Sequence, residues 1–326
     1  MSVERVDGTG AMLPSSRPSL VVIGNFDGVH RGHQAVLASA RERAAAAGLR
    51  PVVLTFDPHP SVVLGKAPSS VLTTMARRVE LLARALPDLT VVVQPFTREL
   101  AAHTARAFVE SLLIRDLGAR VVIVGKNFCF GAGRSGDVDT LAQLGAELGF
   151  QAIAHELAGD ADGSYSSSRI RGHVVSGEVE LAEALLGRPH ATTGRVVHGD
   201  HRGRTIGVPT ANLEAVAELV PKNGVYAALV DRVATDGAAE VLGRAVVNVG
   251  VRPTVAAGPS LEAHVLDFQG DLYDATLRLH FVARLRDEQK FSGLDSLVEQ
   301  IRKDVEKGRE LLASRSAEPA AGGAWH

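Results

Sequence analysis

Leu20-Val21-Val22-Ile23-Gly24-Asn25-Phe26-Asp27-Gly28-Val29-His30-Arg31-Gly32-His33 decides how the first half of this chain is read. An apolar run ends at a glycine-punctuated turn, and the turn opens into a segment where Val36, Leu37, Ala40, Ala44 and Ala47 recur at helical spacing. Gly48 offers a C-terminal cap before Pro51. Buried strand, tight turn and helix, in that order, begin a βαβ unit. In an open α/β sheet ligands bind beyond the carboxyl ends of strands, where a helix N-terminus presents free backbone N–H groups to phosphate. His30 and His33, three apart at that first turn, can face one phosphate, while Gly28 and Gly32 let the backbone approach it closely. A structural turn with surface histidines, or a His-x-x-His metal pair, would use the same letters. A metal pair would want more ligands than Cys129 and His59 supply, so the phosphate reading is preferred.

Outward from this stretch, short apolar runs alternate with helical patterns. The runs are Leu20 to Ile23, Val52 to Phe56, Thr90 to Val93, Arg120 to Val124 and Gln151 to Ala154. Most lack polar alternation, which predicts five parallel strands covered on both faces. The pattern changes at Leu186-Gly187-Arg188-Pro189, where the helical stretch Glu178 to Leu186 gives way to short strands separated by Gly and Pro. Gly194 to His198, Gly224 to Val233, Arg244 to Val249, Leu261 to Phe268 and Thr276 to Val282 read as strands of a small antiparallel barrel. Leu297, Ile301, Val305, Leu311 and Leu312 mark a closing helix over Leu294 to Leu312. The expected fold class is therefore α/β followed by β: a doubly wound parallel sheet, then a small antiparallel β-barrel with a C-terminal helix. The expected domains are residues 1–186 and 187–313, with 314–326 as a disordered tail rich in Ala, Gly and Pro.

Composition agrees. At 326 residues the chain exceeds the roughly 250 to 300 at which single cores stop growing, so two domains are expected. A formal charge of −2 carries no basic field for nucleic acid, and no run approaches the roughly 20 apolar residues of a membrane span. One cysteine, Cys129, cannot form an internal disulfide, which fits a reducing, cytoplasmic location.

Further motifs carry chemistry. Phe56-Asp57-Pro58-His59-Pro60 follows the second predicted strand, and Val124-Gly125-Lys126-Asn127-Phe128-Cys129-Phe130-Gly131 spans the end of the fourth. Gly131-Ala132-Gly133-Arg134-Ser135-Gly136 satisfies a dinucleotide fingerprint, with Glu156 about twenty residues on. It follows the fourth strand rather than the first, with Lys126 to Phe130 intervening, so a flexible loop is the preferred reading. In the second half, Gly199, Gly203 and Gly207 punctuate a loop that can fold over phosphates and leads into Pro209-Thr210-Ala211-Asn212. Pro221 to Tyr226, Asn248 to Thr254 and Leu261 to Phe268 stand beside it. In the last of these, Leu261, Ala263 and Val265 share one strand face and Glu262 points to the other with His264. That carboxylate is either a general base or an exposed strand residue.

Over nearly the whole chain these motifs resemble the bacterial bifunctional riboflavin kinase/FMN adenylyltransferase family. The resemblance implies a nucleotidyltransferase-like first domain and a riboflavin kinase-like barrel. It implies that His30 and His33 contact the ATP triphosphate within a phosphate site that includes Gly24, Phe26, Asp27 and Gly28. Asn127 would help hold the nucleotide, and Ser167, Ser168 and Arg171 would supply a phosphate-binding loop, with Ser168 where the family usually has Thr. Asp57 and Pro58 would border flavin in this domain, as Arg286 and Glu288 would in the second. In the barrel, Gly199, Gly203, Arg204 and Gly207 would fold over ATP, and Thr210 and Asn212 would hold Mg²⁺ and phosphates. Glu262 would be the general base. The implied cofactors and substrates are Mg²⁺ or a similar divalent cation, ATP, riboflavin, FMN and FAD. Small-molecule substrates are the expected partners, with no nucleic acid, no membrane and either a monomer or a weak homo-oligomer. Val208 and His190 stand where the family commonly has Phe and Tyr. A kinase that no longer makes FAD, and a non-catalytic flavin-binding regulator, are the alternatives; intact His30, His33, Asn127 and Arg171 weigh against the first, and Glu262 with Pro209 to Asn212 against the second.

Overall fold

Val22, Leu54 and Val92 each lie inside a strand with no face left for water, and the sheet they share sets the first half of the molecule. A computed structural model describes residues 4–13, 16–65, 70–86, 88–156, 158–198, 208–214, 216–251 and 259–315. Strands β1 (Glu4–Asp7), β2 (Ser19–Ile23), β3 (Arg50–Asp57), β4 (Thr90–Pro95), β5 (Ala119–Gly125) and β6 (Gln151–His155) form one six-stranded sheet in the order β1-β4-β3-β2-β5-β6. Every pairing in it is parallel. Val21, Ile23, Val52, Leu54 and Val92 face one apolar core, and Leu20, Val22, Val53, Val91 and Val93 face another. Two covered faces explain why the sequence runs are apolar without alternation.

Five strands were expected here and six are present. The additional one, β1, adds at the sheet edge beside β4, with Val6 opposite Val92. Only Val6 of its four residues is buried, so its sequence carries no apolar run. A short antiparallel pair, β7 (Gly159–Asp160) with β8 (Gly163–Ser164), follows the sheet.

The second half closes on itself. Strands β9 (His190–Val197), β10 (Ala211–Glu214), β11 (Gly224–Val233), β12 (Ala239–Val251), β13 (Pro259–Val265) and β14 (Thr276–Arg286) form a closed antiparallel barrel in the order β10-β13-β12-β11-β14-β9. Val196, Leu213, Tyr226, Ala228, Val247, Ala263, Leu279 and Phe281 fill its interior. The strand absent from the sequence reading is β10, four residues long and hidden behind a glycine-rich stretch. Closure removes the exposed edges that β9 and β13 would otherwise present.

The Leu294–Leu312 helix occupies its expected span and packs outside the barrel, where Val305 and Leu312 meet Val225, Ala227, Leu229, Val246 and Leu285. Leu311, expected on that face, is 42% exposed instead, because Gly308 and Leu312 take the positions nearest the strands. Arg315, in the stretch expected to be a loose tail, pairs with Glu183 at 2.6 Å, and the rest of that tail from 316 lies outside the described residues. The chain divides into two compact units at Tyr165/Ser166, with Ser70–Thr74 grouped with the second. Among the described residues no helix is long and apolar enough to cross a membrane.

Candidate functional site

In the first unit, strand order assembles the candidate residues. The chain steps from β2 through β3 to β4 on one side of the sheet, then crosses to β5 and β6 on the other. The reversal between β2 and β5 is the switch point at which such sheets bind ligands. Three adjacent strands, β3, β2 and β5, deliver Asp57 with Pro58, the Gly24–His33 turn and Asn127 at their carboxyl ends. Asp57, Pro58 and Asn127 are exposed.

His30 caps the Arg31–Ala47 helix: its Nδ1 accepts from the His33 backbone N–H at 3.4 Å. Accepting at Nδ1 assigns the proton of the neutral ring to Nε2. The two imidazoles stack, with centroids 3.7 Å apart and planes 20° apart. A side chain at Gly32 would put its Cβ 3.1 Å from the His30 ring and 3.3 Å from Tyr165 Cβ, so the stacked pair depends on glycine there.

The turn before the histidines is strained. Phe26 and Val29 have φ of 52° and 40°, a region that a β-branched residue such as Val seldom enters. Such conformations cost about 1 to 3 kcal/mol each and persist only where the surroundings enforce them. Here the Val29 N–H donates to Phe26 O at 3.0 Å, Gln34 Nε2 donates to Val29 O at 2.9 Å, and the Phe26 and Val29 side chains are buried. Between them, the Asp27 carboxylate accepts from Arg78 at 3.2 Å, and both side chains are at most 5% exposed. Asp27 was expected among the phosphate-binding residues. Its carboxylate pairs with Arg78, which ties the turn to the Met75–Ala85 helix.

Sequence reading left out two neighbours. The Asn25 side-chain amide lies 2.9 Å from His59 Nε2, and His59 Nδ1 accepts from the Ser61 N–H at 3.2 Å and lies 2.7 Å from Ser61 Oγ. Both residues sit inside quoted motifs, but only the parallel pairing of β2 with β3 brings them together. Gly131 to Gly136 opens no helix after a first strand: Phe130 and Gly136 pair across a reverse turn, and Glu156 forms an ion pair with Lys126. The dinucleotide reading is therefore dropped.

In the second unit, Ser166 caps the Ser167–Ser176 helix by accepting from the Arg169 N–H at 3.3 Å. Ser167 and Ser168 form the open first turn of that helix, and Arg171, one turn on, donates to Ser70 O at 3.1 Å.

On the barrel, Glu262 lies directly opposite Asn212 of β10 and directly opposite Asn248 of β12. Leu261 and Ala263 point into the core, so this row of three polar residues faces outward, half-buried. Directly opposed residues stand with Cβ atoms about 4.5 to 5.5 Å apart. Ser260 Oγ lies 3.4 Å from the Glu262 carboxylate. Thr210, half-buried, precedes Asn212 by two residues, just before β10 begins. His264, on the Glu262 face, donates from Nδ1 to Pro209 O at 2.8 Å and so fixes the approach to Thr210. Gly199, Gly203, Arg204 and Gly207 lie outside the described residues. His190 is accommodated in the barrel wall, where its Nε2 donates to Leu219 O at 2.6 Å.

Arg286 and Glu288, expected at flavin, have protein partners. The Arg286 Nε and NH2 groups hold both oxygens of buried Asp304 at 2.8 to 3.1 Å, which ties the end of β14 to the C-terminal helix. Glu288 accepts from Asn223 Nδ2 at 3.2 Å, and a Cβ at Gly250 would fall 2.7 Å from its Oε1. Arg286 thus fixes the segment from which Glu288 projects.

Thr210 and Asn212 offer neutral oxygens, the donor type that Mg²⁺ takes in small number when nucleotide phosphates complete its shell. Among the described residues no group of three His, Cys, Asp or Glu could hold a metal. The donor set fits a cation carried with ATP.

Comparison with known proteins agrees with this geometry. A family model described as FAD synthetase matches residues 13–169, and one described as riboflavin kinase matches residues 186–312. The chain is 39% identical over 314 residues to a bifunctional riboflavin kinase/FMN adenylyltransferase of Pseudomonas fluorescens, covering 95% of this chain and 98% of that protein. It is 40% identical over 296 residues to the protein of the same name from Escherichia coli (strain K12), covering 90% and 92%. A solved structure from Streptococcus pneumoniae, described as a macrolide-efflux protein, superposes with a TM-score of 0.81 at 30% identity over 95% of this chain and 99% of that one. The chain belongs to the bifunctional riboflavin kinase/FMN adenylyltransferase family.

Proposed function

We infer that this chain makes FAD from riboflavin in two ATP-dependent steps, each run by its own set of residues. The observation that supports the kinase step most directly is the outward row Asn212, Glu262, Asn248, which sets one carboxylate between two amides on rigid strands. A ribityl alcohol is a poor nucleophile. Glu262 takes the proton of its 5′-hydroxyl as that oxygen attacks the γ-phosphorus of ATP, and ADP leaves. Thr210 and Asn212 hold the phosphates and Mg²⁺, which neutralises their charge. Gly199, Gly203, Arg204 and Gly207 are assigned to the ATP phosphates, and Glu288 borders the flavin with Arg286 behind it.

In the second step an FMN phosphate oxygen attacks the α-phosphorus of ATP and pyrophosphate leaves. No enzyme nucleophile is needed, so positioning and charge stabilisation carry the rate. His30 and His33 meet the triphosphate on the backbone of Gly24, Phe26 and Gly28, with Asp27 holding the turn. Asn127 holds the nucleotide with them, Asp57 with Pro58 borders FMN, and Ser167, Ser168 and Arg171 supply a phosphate-binding turn. We assign adenylyl transfer to residues 1–186 and the kinase to 187–313, in a cytoplasmic enzyme that is a monomer or weak homo-oligomer.

Two variants separate the steps. His30→Ala is expected to stop FAD formation while FMN accumulates from riboflavin. Glu262→Ala is expected to stop riboflavin phosphorylation while supplied FMN still becomes FAD. Loss of both activities from either change, in protein that remains folded, would contradict independent sites.

A further inference from the structure

Asn248 stands in the row with the proposed base, but no ligand contact has been assigned to it. Its Cα partner across β13 is Glu262, as Asn212 is across β10. Val247 and Val249 point into the barrel core, so the Asn248 amide faces outward with the carboxylate. Among the described residues neither its N–H₂ nor its carbonyl has a side-chain or backbone partner, although the residue is half-buried. An amide that no protein group engages can both donate to and accept from a ligand, and its place on the barrel wall gives a reason for it to do so.

The order of groups along the row supplies one. Thr210 and Asn212, proposed for phosphates, lie on one side of Glu262. On the other side comes Asn248, and two residues along the same strand from it lies Gly250, where a Cβ would sit 3.8 Å from Asn248 Nδ2 and 2.7 Å from Glu288 Oε1. Glu288 is the residue proposed to border the flavin ring. A substrate whose terminal hydroxyl is at Glu262 and whose ring is near Glu288 runs its sugar-alcohol chain across the patch bounded by Asn248 and Ser260. Neighbouring strands are about 4.8 Å apart, so Asn248 is one strand from the reacting oxygen. A hydroxyl both donates and accepts, and a carboxamide can answer it in both senses.

We propose that Asn248 is a substrate-binding residue of the kinase site, its amide hydrogen-bonding the ribityl hydroxyls next to the one that is phosphorylated. This rests on the kinase reading above and names the part of the substrate that the site selects. The ring alone would not engage Asn248, whereas the polyol chain would.

The test uses the full chain with Asn248→Ala, ADP and Mg²⁺, and compares fluorescence titrations with riboflavin and with lumiflavin, which has the ring but no ribityl chain. The expected result is roughly tenfold weaker riboflavin binding, the weight of one neutral hydrogen bond, with lumiflavin affinity unchanged. The KM for riboflavin should rise in step while FAD formation from supplied FMN stays at the native rate. Unchanged riboflavin affinity, or an equal loss for both flavins, would overturn the assignment. Asn248→Ser, which keeps one hydroxyl in place of the amide, should bind riboflavin between the native protein and the alanine variant; it carries the test if the alanine variant does not fold. Glu262→Gln keeps the two ideas apart. If it leaves phosphorylation intact, the kinase reading itself fails; if it abolishes phosphorylation while Asn248→Ala binds riboflavin normally, only the role of Asn248 fails.

Discussion

Asn212 and Glu262 face each other across β10 and β13, three residues from either strand end at most, on the outer wall of a closed barrel. The proposed phosphate ligand and the proposed base are therefore held by backbone pairing rather than by a loop. That rigidity is what phosphoryl transfer asks of its protein, because positioning and charge stabilisation supply most of the rate.

Asn212→Ala should shift the Mg²⁺ and ATP dependence of FMN formation rather than its riboflavin dependence. Initial rates measured over a range of Mg²⁺ at saturating riboflavin are expected to need several-fold more of the ion to reach half-maximum. A change confined to the KM for riboflavin would place Asn212 with the flavin instead.

Arg78 lies in the Met75–Ala85 helix, away from the motif it supports. Arg78→Ala leaves the Asp27 carboxylate buried without its guanidinium, a change that typically costs about 3 to 5 kcal/mol. Urea unfolding should show a loss of that order in the first unit, and FAD formation should fall with it. Riboflavin phosphorylation, carried by the other unit, should persist. Native FAD formation in this variant would mean that the strained Phe26–Val29 turn does not depend on the pair.

Glu218 gives the barrel a pH dependence of definite sign. Its side chain is 5% exposed and burial, the dominant influence, raises its pKa; the Thr193 N–H donated at 3.1 Å and the charge of Arg278 offset this only in part. A raised carboxyl pKa means that the folded protein holds the proton more tightly than the unfolded chain. The stabilisation is full below the ordinary glutamate value and is lost as pH rises from there through the raised value. Glu218→Gln should therefore gain on the native protein across that window in thermal unfolding. A variant whose difference from native is flat, or falls with rising pH, would contradict the assignment.

The fold was legible in the sequence wherever both faces of a strand are buried or turn residues punctuate alternation, as in β2, β3 and β11. It was not legible for β1, where Glu4, Arg5 and Asp7 surround a single buried Val6, or for β10, whose four residues take their meaning from β9 and β13 on either side. At the candidate sites, the positions of His30, His33 and Glu262 were legible because each sits in a local motif or on a definite strand face. The resemblance places Asp27 and Arg286 near ligands, but their ion pairs are not legible in it. Their partners, Arg78 and Asp304, lie 51 and 18 residues away, and no local pattern announces a pairing across that distance. Asn248 was quoted as part of a motif, but its register with Glu262 exists only once β12 and β13 have paired.

The central claim is that one chain carries both steps in sequence. Purified protein incubated with riboflavin, ATP and Mg²⁺, with products separated by chromatography over time, tests it most directly. FMN should appear first and FAD later at its expense. FMN that accumulates without FAD, with supplied FMN and ATP also unconverted, would contradict the account of the first unit and leave the chain a riboflavin kinase alone.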